Sequence, residues 1–385
     1  MATGHDLVGN LCEGLFTSLL RRDQRLKAES YVRALLAAQG RKTLRNIAEQ
    51  MGGEAAQQSV HHFISSSSWD WSAVRRSLAQ RVDAVLAPRA WVVRPLVIPK
   101  AGPHTVGVDQ QFVPHLGHTV NAQQAFGAWL ASERAAVPCN WRLVLPASWL
   151  EDPLRRHRAC IPETSRAAGL EECASDAVRQ LESTRAGRRP VVVDAEGLDV
   201  RRCVRHFGER RSPLLVRIGP HTPVRVDNTR LHAYSDKPVT AGQLVATMKQ
   251  FRRQAASPGG YGGHGADVGV AAAIPVLPGE FDGPGPRTPM LLLADWPSAP
   301  HGDARMWLAR GAGTPVPGLL RLARLADTAE RDCAAVSERI GIRDFAGRSF
   351  QGWHRHITLA SVAHLAAVLT TAERHAPAPA LSRVA

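Results

Sequence analysis

Several residue patterns are missing from this chain, and each absence narrows the reading. Its six cysteines (Cys12, Cys139, Cys160, Cys173, Cys203 and Cys333) lie far apart and form no Cys-x-x-Cys pair. That spacing argues against a zinc site and against a disulfide framework, so a reducing cytoplasm is the expected location. No uncharged run approaches the roughly 20 residues of a membrane span. Asp6 and Glu13 also interrupt the early apolar residues where a secretory leader would be unbroken. A soluble protein without membrane contact is therefore expected. No internal repeat is visible. Lysine is scarce, with only Lys27, Lys42, Lys100, Lys237 and Lys249 in 385 residues.

Arginine is what the chain has instead. It supplies nearly all of a formal net charge of +14, and the sequence pI is about 10.5. Such a surface favours polyanions, of which nucleic acid is the commonest. Arginine and alanine richness also follows from genomic base composition, so charge alone leaves the partner open.

The first 88 residues read as an all-α domain. Asp6 is placed to cap a helix carrying Leu7, Leu11, Leu15 and Leu19. A second helix carries Tyr31, Leu35 and Leu36. Thr43 is placed to cap a third, with Leu44, Ile47, Ala48 and Met51, and a fourth carries Trp71, Val74, Leu78, Val82 and Val85. Arg41, Lys42 and Arg45 form a basic cluster at a helix start. This module could present a helix to a DNA groove or serve as a packing or dimerisation domain.

After Pro88 the period changes. WVVRPLVIP and HTVGVDQQF are β-rich runs about the turn Lys100-Ala101-Gly102-Pro103 and are expected to pair as a hairpin. GAWLAS and NWRLVLP form a second strand pair. A polar helix follows over roughly Glu163–Leu181, then the buried strands VVVD and SPLLVRIG and a late helix bearing Glu330. Residues 89–370 thus read as an α/β domain with an RNase H-like mixed sheet flanked by helices. A loop-rich insertion is expected at about 220–320, mobile at its Gly/Pro-rich centre (SPGGYGGHGADVG and GEFDGPGPRTP). Residues 371–385 are expected to be a disordered tail.

The string AERDCAAVSERIGIRDFAGRSFQGWHRHITL (329–359) resembles the C-terminal block of the DDE-type insertion-sequence transposases, a DDE superfamily endonuclease family. QQAFGAWLASERAAVPCNWRLVLPASWLEDPLRRHRACIPE and YVRALLAAQGRKTLRNIAEQMGG are similar to other blocks of that family, so the resemblance spans about residues 25–370. It implies DNA strand cleavage and transfer assisted by Mg²⁺ or Mn²⁺, with double-stranded transposon-end DNA as partner and a homodimer as a possible assembly. Two-ion phosphoryl chemistry needs three converging carboxylates, because these cations take hard oxygen ligands. Asp194, ending an apolar strand, and Glu330, on the late helix, are the catalytic and metal-ligand candidates.

The first carboxylate is the departure. The Pro99-Lys100-Ala101-Gly102 turn fixes the register of the first strand, and the position of its Asp holds Arg94. Ser337 stands where relatives carry a Lys seven residues after Glu330 on the same helix face, and Asp327 stands where they carry an aromatic. If the first two strands close symmetrically about their turn, Arg94 faces Asp109. An Arg94–Asp109 ion pair would then fill the metal position, or Asp109 would restore the missing acid. The resemblance also nominates Lys100, Arg331 and Arg355, with Arg41, Lys42 and Arg45, as DNA contacts. The expectation is a DNA-binding transposase relative with impaired cleavage. The alternatives are an active enzyme with a displaced acid, and a domesticated regulator or protein-interaction scaffold.

Overall fold

The computed structural model describes residues 6–113, 117–181, 189–208, 212–227, 237–248, 253–255, 269–278, 289–296, 304–311 and 313–375. Five helices come first: α1 (Leu7–Leu15), α2 (Arg22–Ala37), α3 (Leu44–Glu49), α4 (Glu54–Ser65) and α5 (Trp71–Leu86). The Asp6 side chain accepts from the Gly9 amide and that of Thr43 from the Asn46 amide, as their cap positions suggested. The helix α4 was not anticipated. Its buried residues are Val60, Phe63 and Ile64, too short an apolar stripe to stand out from a polar stretch.

Four strands follow: β1 (Ala90–Pro99), β2 (Val108–Val113), β3 (His118–Ala131) and β4 (Ala136–Leu143). The expected β1–β2 hairpin does not form. Instead β1 pairs antiparallel with β3 from Ala90↔Ala131 to Pro99↔Ala122. The opposite edge of β3 is shared between β2 and β4. The register follows from burial: β1 carries the buried Trp91, Val92, Val93, Leu96 and Ile98 and belongs inside the sheet, while the polar VDQQFV of β2 suits an outer position. The expected pairing of GAWLAS with NWRLVLP is the β3–β4 ladder.

Short helices α6 (Ala147–Leu150) and α7 (Pro153–Arg158) lead to α8 (Leu170–Arg179), within the span expected for the polar helix. Next come β5 (Val191–Val193), α9 (Val200–Phe207) and β6 (Leu214–Ile218). Both strands run parallel to their inner neighbours, β5 beside β1 and β6 beside β5. An antiparallel unit continued by parallel strands is the RNase H-like arrangement.

Beyond β6 lies the expected insertion, whose described parts include strands and a helix, while the expected mobile centre lies outside the described residues. The described parts are β7 (Pro223–Val226), β8 (Val239–Thr240), α10 (Ala241–Thr247), β9 (Arg253–Ala255), β10 (Gly269–Pro278), β11 (Met290–Trp296) and β12 (Arg305–Arg310). They widen the sheet to the order β2-β3-β1-β5-β6-β12-β11-β10-β7-β8. β10 lies between the two Gly/Pro-rich segments, and MLLLADW and RMWLAR follow the second; the centres of both segments fall outside the described residues.

The chain closes with α11 (Val316–Asp332), a π-helical segment (Cys333–Ser337), α12 (Glu338–Ile340) and α13 (Phe350–His375). The expected tail from 371 is therefore helical as far as His375, and the remainder lies outside the described residues. α13 packs against α1, α2, α4 and α5 as well as against β4. Within GWHRHITL and the turns after it, polar and apolar residues alike are buried, so this helix has no solvent stripe.

Its buried histidines are matched one by one. The His356 Nδ1 accepts from the Tyr31 hydroxyl at 2.9 Å, and its Nε2 donates to the Gly341 carbonyl at 3.0 Å. The Ser337 hydroxyl donates to His364 Nδ1 at 2.8 Å, and His364 Nε2 donates to the Ala136 carbonyl at 3.0 Å. A carbonyl only accepts, which fixes both tautomers. Burial pushes each of these two histidines down to a pKa of about 4. Arg75, fully enclosed, donates to Thr358 Oγ1, Asn140 Oδ1, the Trp141 carbonyl and His354.

Candidate active site

Two parallel strands and one helix bring the candidate residues together. The β1–β5 ladder ends at Val93↔Val193, and the Asp194 amide donates to the Val93 carbonyl at 2.9 Å. Arg94 and Asp194 are therefore lateral neighbours where the short β5 stops. Trp91 N–H and Val93 C=O both point toward the β5 side, and alternation turns the Pro95 nitrogen the same way. Among the described residues no strand pairs with β1 on that side past Val193, so a proline is tolerated inside β1 without loss of a ladder hydrogen bond.

Across this corner lies α11, packed on β1, β3, β4 and β5. Ala326 and Glu330 are four residues apart and share a helix face. Arg94 reaches up between the elements. Its Nη1 donates to the Ala326 carbonyl at 3.1 Å and lies 3.2 Å from Asp194 Oδ2. Its Nη2 lies 3.7 Å from Glu330 Oε1. The guanidinium thus bridges the two acids expected to ligate a metal. The Asp194 side chain is only 2% exposed, whereas that of Glu330 is 55% exposed.

A second arginine, unremarked in the sequence, completes the cluster. Arg217 on β6 donates from Nη1 to Asp194 Oδ1 at 2.8 Å and from Nε to Glu196 Oε1 at 2.9 Å. Burial works against its charge. The hydrogen bond to Asp194 and the fields of Asp194 and Glu196 outweigh that, leaving its pKa above the ordinary arginine value. The sequence signal was a lone arginine in the apolar run LLVRI beside a strand ending in Asp.

The Arg94–Asp109 pair is not formed. Arg94 stands opposite Gly127, and Asp109 stands opposite Ala122 on the other edge of β3. Five residues of β3 separate those two partners, about 17 Å at 3.4 Å per residue. Asp109 is exposed, and its Oδ1 accepts only its neighbour's amide, that of Gln110. It can neither neutralise Arg94 nor stand in for the missing acid. The cap of α9 is Asp199, which accepts from the Arg202 amide, so Asp194 has no capping role.

Ser337 does not share Glu330's face, because the π-helical segment shifts the helical phase between them. It is buried against His364. Asp327 forms an ion pair with Arg305.

The nominated DNA contacts divide into two groups. Arg41, Arg45 and Arg331 are exposed, though each lies near an acid: Asp344, Glu49 and Asp332 respectively. The others face inward. Lys42 is buried, and its ammonium donates to the Ala38 carbonyl. The Lys100 ammonium donates to the Phe345 carbonyl at 2.7 Å, and burial, with Arg41 nearby, pushes its pKa down to about 8. Arg355 is buried, donating to the Ile64 carbonyl and Gln351 Oε1 and lying over the rings of Trp69 and Trp71. Lys42 is thus bonded within the helical module, Lys100 ties β1 to the segment before α13, and Arg355 ties α13 to α4, so all three spend their charge on the protein's own carbonyls. Their position on a strongly basic chain gave no hint of that.

A divalent cation does not fit this donor set. It would need oxygen lone pairs from converging acids, yet both Asp194 oxygens are engaged by guanidinium groups and a fixed cation lies between Asp194 and Glu330. Among the described residues no group of three or more His, Cys, Asp or Glu side chains gathers as a ligand set. The described cysteines are all free thiols. Among the described residues no helix is long and apolar enough to cross a membrane.

Comparison with curated proteins finds no match. The family model for the DDE superfamily endonuclease matches residues 14–259, from α1 through the strands that carry Arg94, Asp194 and Arg217 to the segment after β9. With an RNase H-like sheet and residues 94, 194 and 330 drawn to one corner of it, this chain belongs to the DDE superfamily endonuclease family.

Proposed function

We propose that this chain is a DNA-binding transposase relative whose metal-dependent strand cleavage and transfer are impaired. One observation carries the proposal: the Arg94 guanidinium lies between Asp194 and Glu330, within 3.2 Å and 3.7 Å of them. DDE nucleases act with divalent ions, and a cation held there repels such an ion while occupying its ligands. Asp194 and Glu330 are then partners in an ion-pair network and no longer catalytic ligands.

Duplex DNA is the partner proposed. The support is the endonuclease family, the net charge of +14, and the exposed Arg41, Arg45 and Arg331. The helical module 1–88 and the sheet domain 89–370 are proposed to share that surface, with a homodimer as the assembly on transposon-end DNA.

Two measurements test this. Supercoiled plasmid incubated with Mg²⁺ or Mn²⁺ is expected to be nicked no faster by the wild type than by Asp194→Asn; metal-dependent nicking lost in that variant refutes impairment. Binding to linear duplex is expected to weaken steeply with salt, log K falling linearly against log salt with a slope near −0.9 per phosphate neutralised. Failure to bind DNA at low salt would replace this reading with a protein-interaction scaffold.

A further inference from the structure

We infer that Arg217 is a second, independent barrier to divalent-cation binding, so that replacing Arg94 alone does not reopen the site. The inference rests on the reading that Arg94 excludes the metal. Its observation is different: the two oxygens of Asp194 are divided between two guanidinium groups, Oδ2 to Arg94 and Oδ1 to Arg217.

The position of Arg217 comes from the fold. β5 and β6 pair in parallel at Val193↔Val216, so residues 194 and 217 follow side by side just as 94 and 194 do. Asp194 is flanked by a cation on each neighbouring strand. Arg217 is also held from behind, since its Nε donates to Glu196 at 2.9 Å. The planar fork therefore grips two acids at fixed geometry, a form of binding a lysine cannot reproduce.

Removing Arg94 leaves this grip intact. An aspartate placed at 94 would stand beside an Asp194 whose Oδ1 still receives a charge-assisted hydrogen bond. Arg217, its side chain 28% exposed, would swing its Nη2 toward the new acid. The pair of carboxylates would then be neutralised by protein before any ion reached them. Restoring a ligand set requires the loss of both cations.

The test compares the full chain as wild type, Arg94→Asp, Arg94→Asp/Arg217→Gln and Arg94→Asp/Arg217→Lys. Mn²⁺ binding is read from the electron paramagnetic resonance signal of the free ion, and fold from tryptophan fluorescence melting. Only the Gln double variant is expected to bind Mn²⁺, at least roughly tenfold more tightly than Arg94→Asp, which corresponds to about 1.4 kcal/mol. Equal affinity for Arg94→Asp and the Gln double variant overturns the role of Arg217 and leaves the Arg94 reading standing. A folded Gln double variant that does not bind, or a Lys variant that binds as well, also overturns it. Mn²⁺ binding by the wild type that Asp194→Asn abolishes would instead overturn the underlying reading. If the aspartate variants do not fold, Arg94→Asn/Arg217→Gln compared with Arg94→Asn adds no charge and is judged by the same criterion.

Discussion

Neutralising Asp194 separates an ion-pair network from a metal site by the sign of a stability change. In an apo cluster of acids, replacing one carboxylate with its amide relieves repulsion and stabilises the protein. Here Asp194 is the central anion between two cations, at 2.8 Å from Arg217 and 3.2 Å from Arg94, with its side chain almost wholly enclosed. Removing one partner of a buried pair costs about 3–5 kcal/mol. Each arginine retains another acid, Glu196 for Arg217 and Glu330 for Arg94, so Asp194→Asn is expected to cost about 3 kcal/mol, at the lower end of that range. The two guanidinium groups, left without the charge between them, supply much of the loss by repelling each other. Equilibrium unfolding in guanidinium chloride, followed by tryptophan fluorescence at pH 7, reads this as a lower midpoint with an unchanged slope. A midpoint equal to or above that of the wild type would refute the network. Combining Asp194→Asn with Arg217→Gln should recover part of the loss, a coupling of about 0.5–3 kcal/mol.

Four further outcomes are expected. His356 and His364 are held neutral with pKa values near 4, so the unfolded chain binds protons that the native state refuses. Their contribution to stability is complete above about pH 6.5 and is lost as pH drops toward 4, by roughly 3 kcal/mol per histidine; His364→Gln should show a shallower acid slope in urea titrations. Lys100, pushed down to about 8, reverses nothing at neutral pH but makes stability rise between about pH 8 and 10.5, with a slope of at most about 1.4 kcal/mol per pH unit; Lys100→Met should lack that rise. Gly127→Ala places a Cβ 2.6 Å from Trp141 Cζ3 and 3.0 Å from Trp129 Nε1, and overpacking of this kind should cost about 1–3 kcal/mol in the same unfolding assay. Arg355→Ala should lower the thermal midpoint while leaving the salt slope of DNA binding unchanged, because its guanidinium is spent on Ile64 and Gln351; a shallower slope would return it to the DNA surface.

Local chemistry was legible where it was self-contained. Asp6 and Thr43 cap as expected, because a capping side chain needs only the next three residues. The corner formed by Arg94, Asp194 and Glu330 was legible because three short strings fixed its register. The partner of Arg94 was not. Turn symmetry suggested Asp109, but β1 selected β3 for its apolar inner face, a choice among distant strands that no local window contains. Arg217 lay within a string already read as a strand and Glu196 just past another, yet their meeting depends on the β5–β6 register. The strands between residues 220 and 320 were hidden for a related reason: glycine and proline in the connections dominated the composition of the stretches they connect. Arg355 looked like a DNA contact because buried polar residues and functional ones are chemically the same until their partners are known.

The helix α13 has a consequence for how the molecule is made. It supplies the inner surface on which α1, α2, α4 and α5 rest, yet all twelve described strands precede it in the chain. Tyr31 must wait for His356, and Arg75 for His354 and Thr358. Until then the opening helices carry bare apolar faces and an unmatched cation while the strands are synthesised, an exposure that invites chaperone capture. Loss of α13 by premature termination would therefore leave the helices of residues 1–88 without the surface on which they pack.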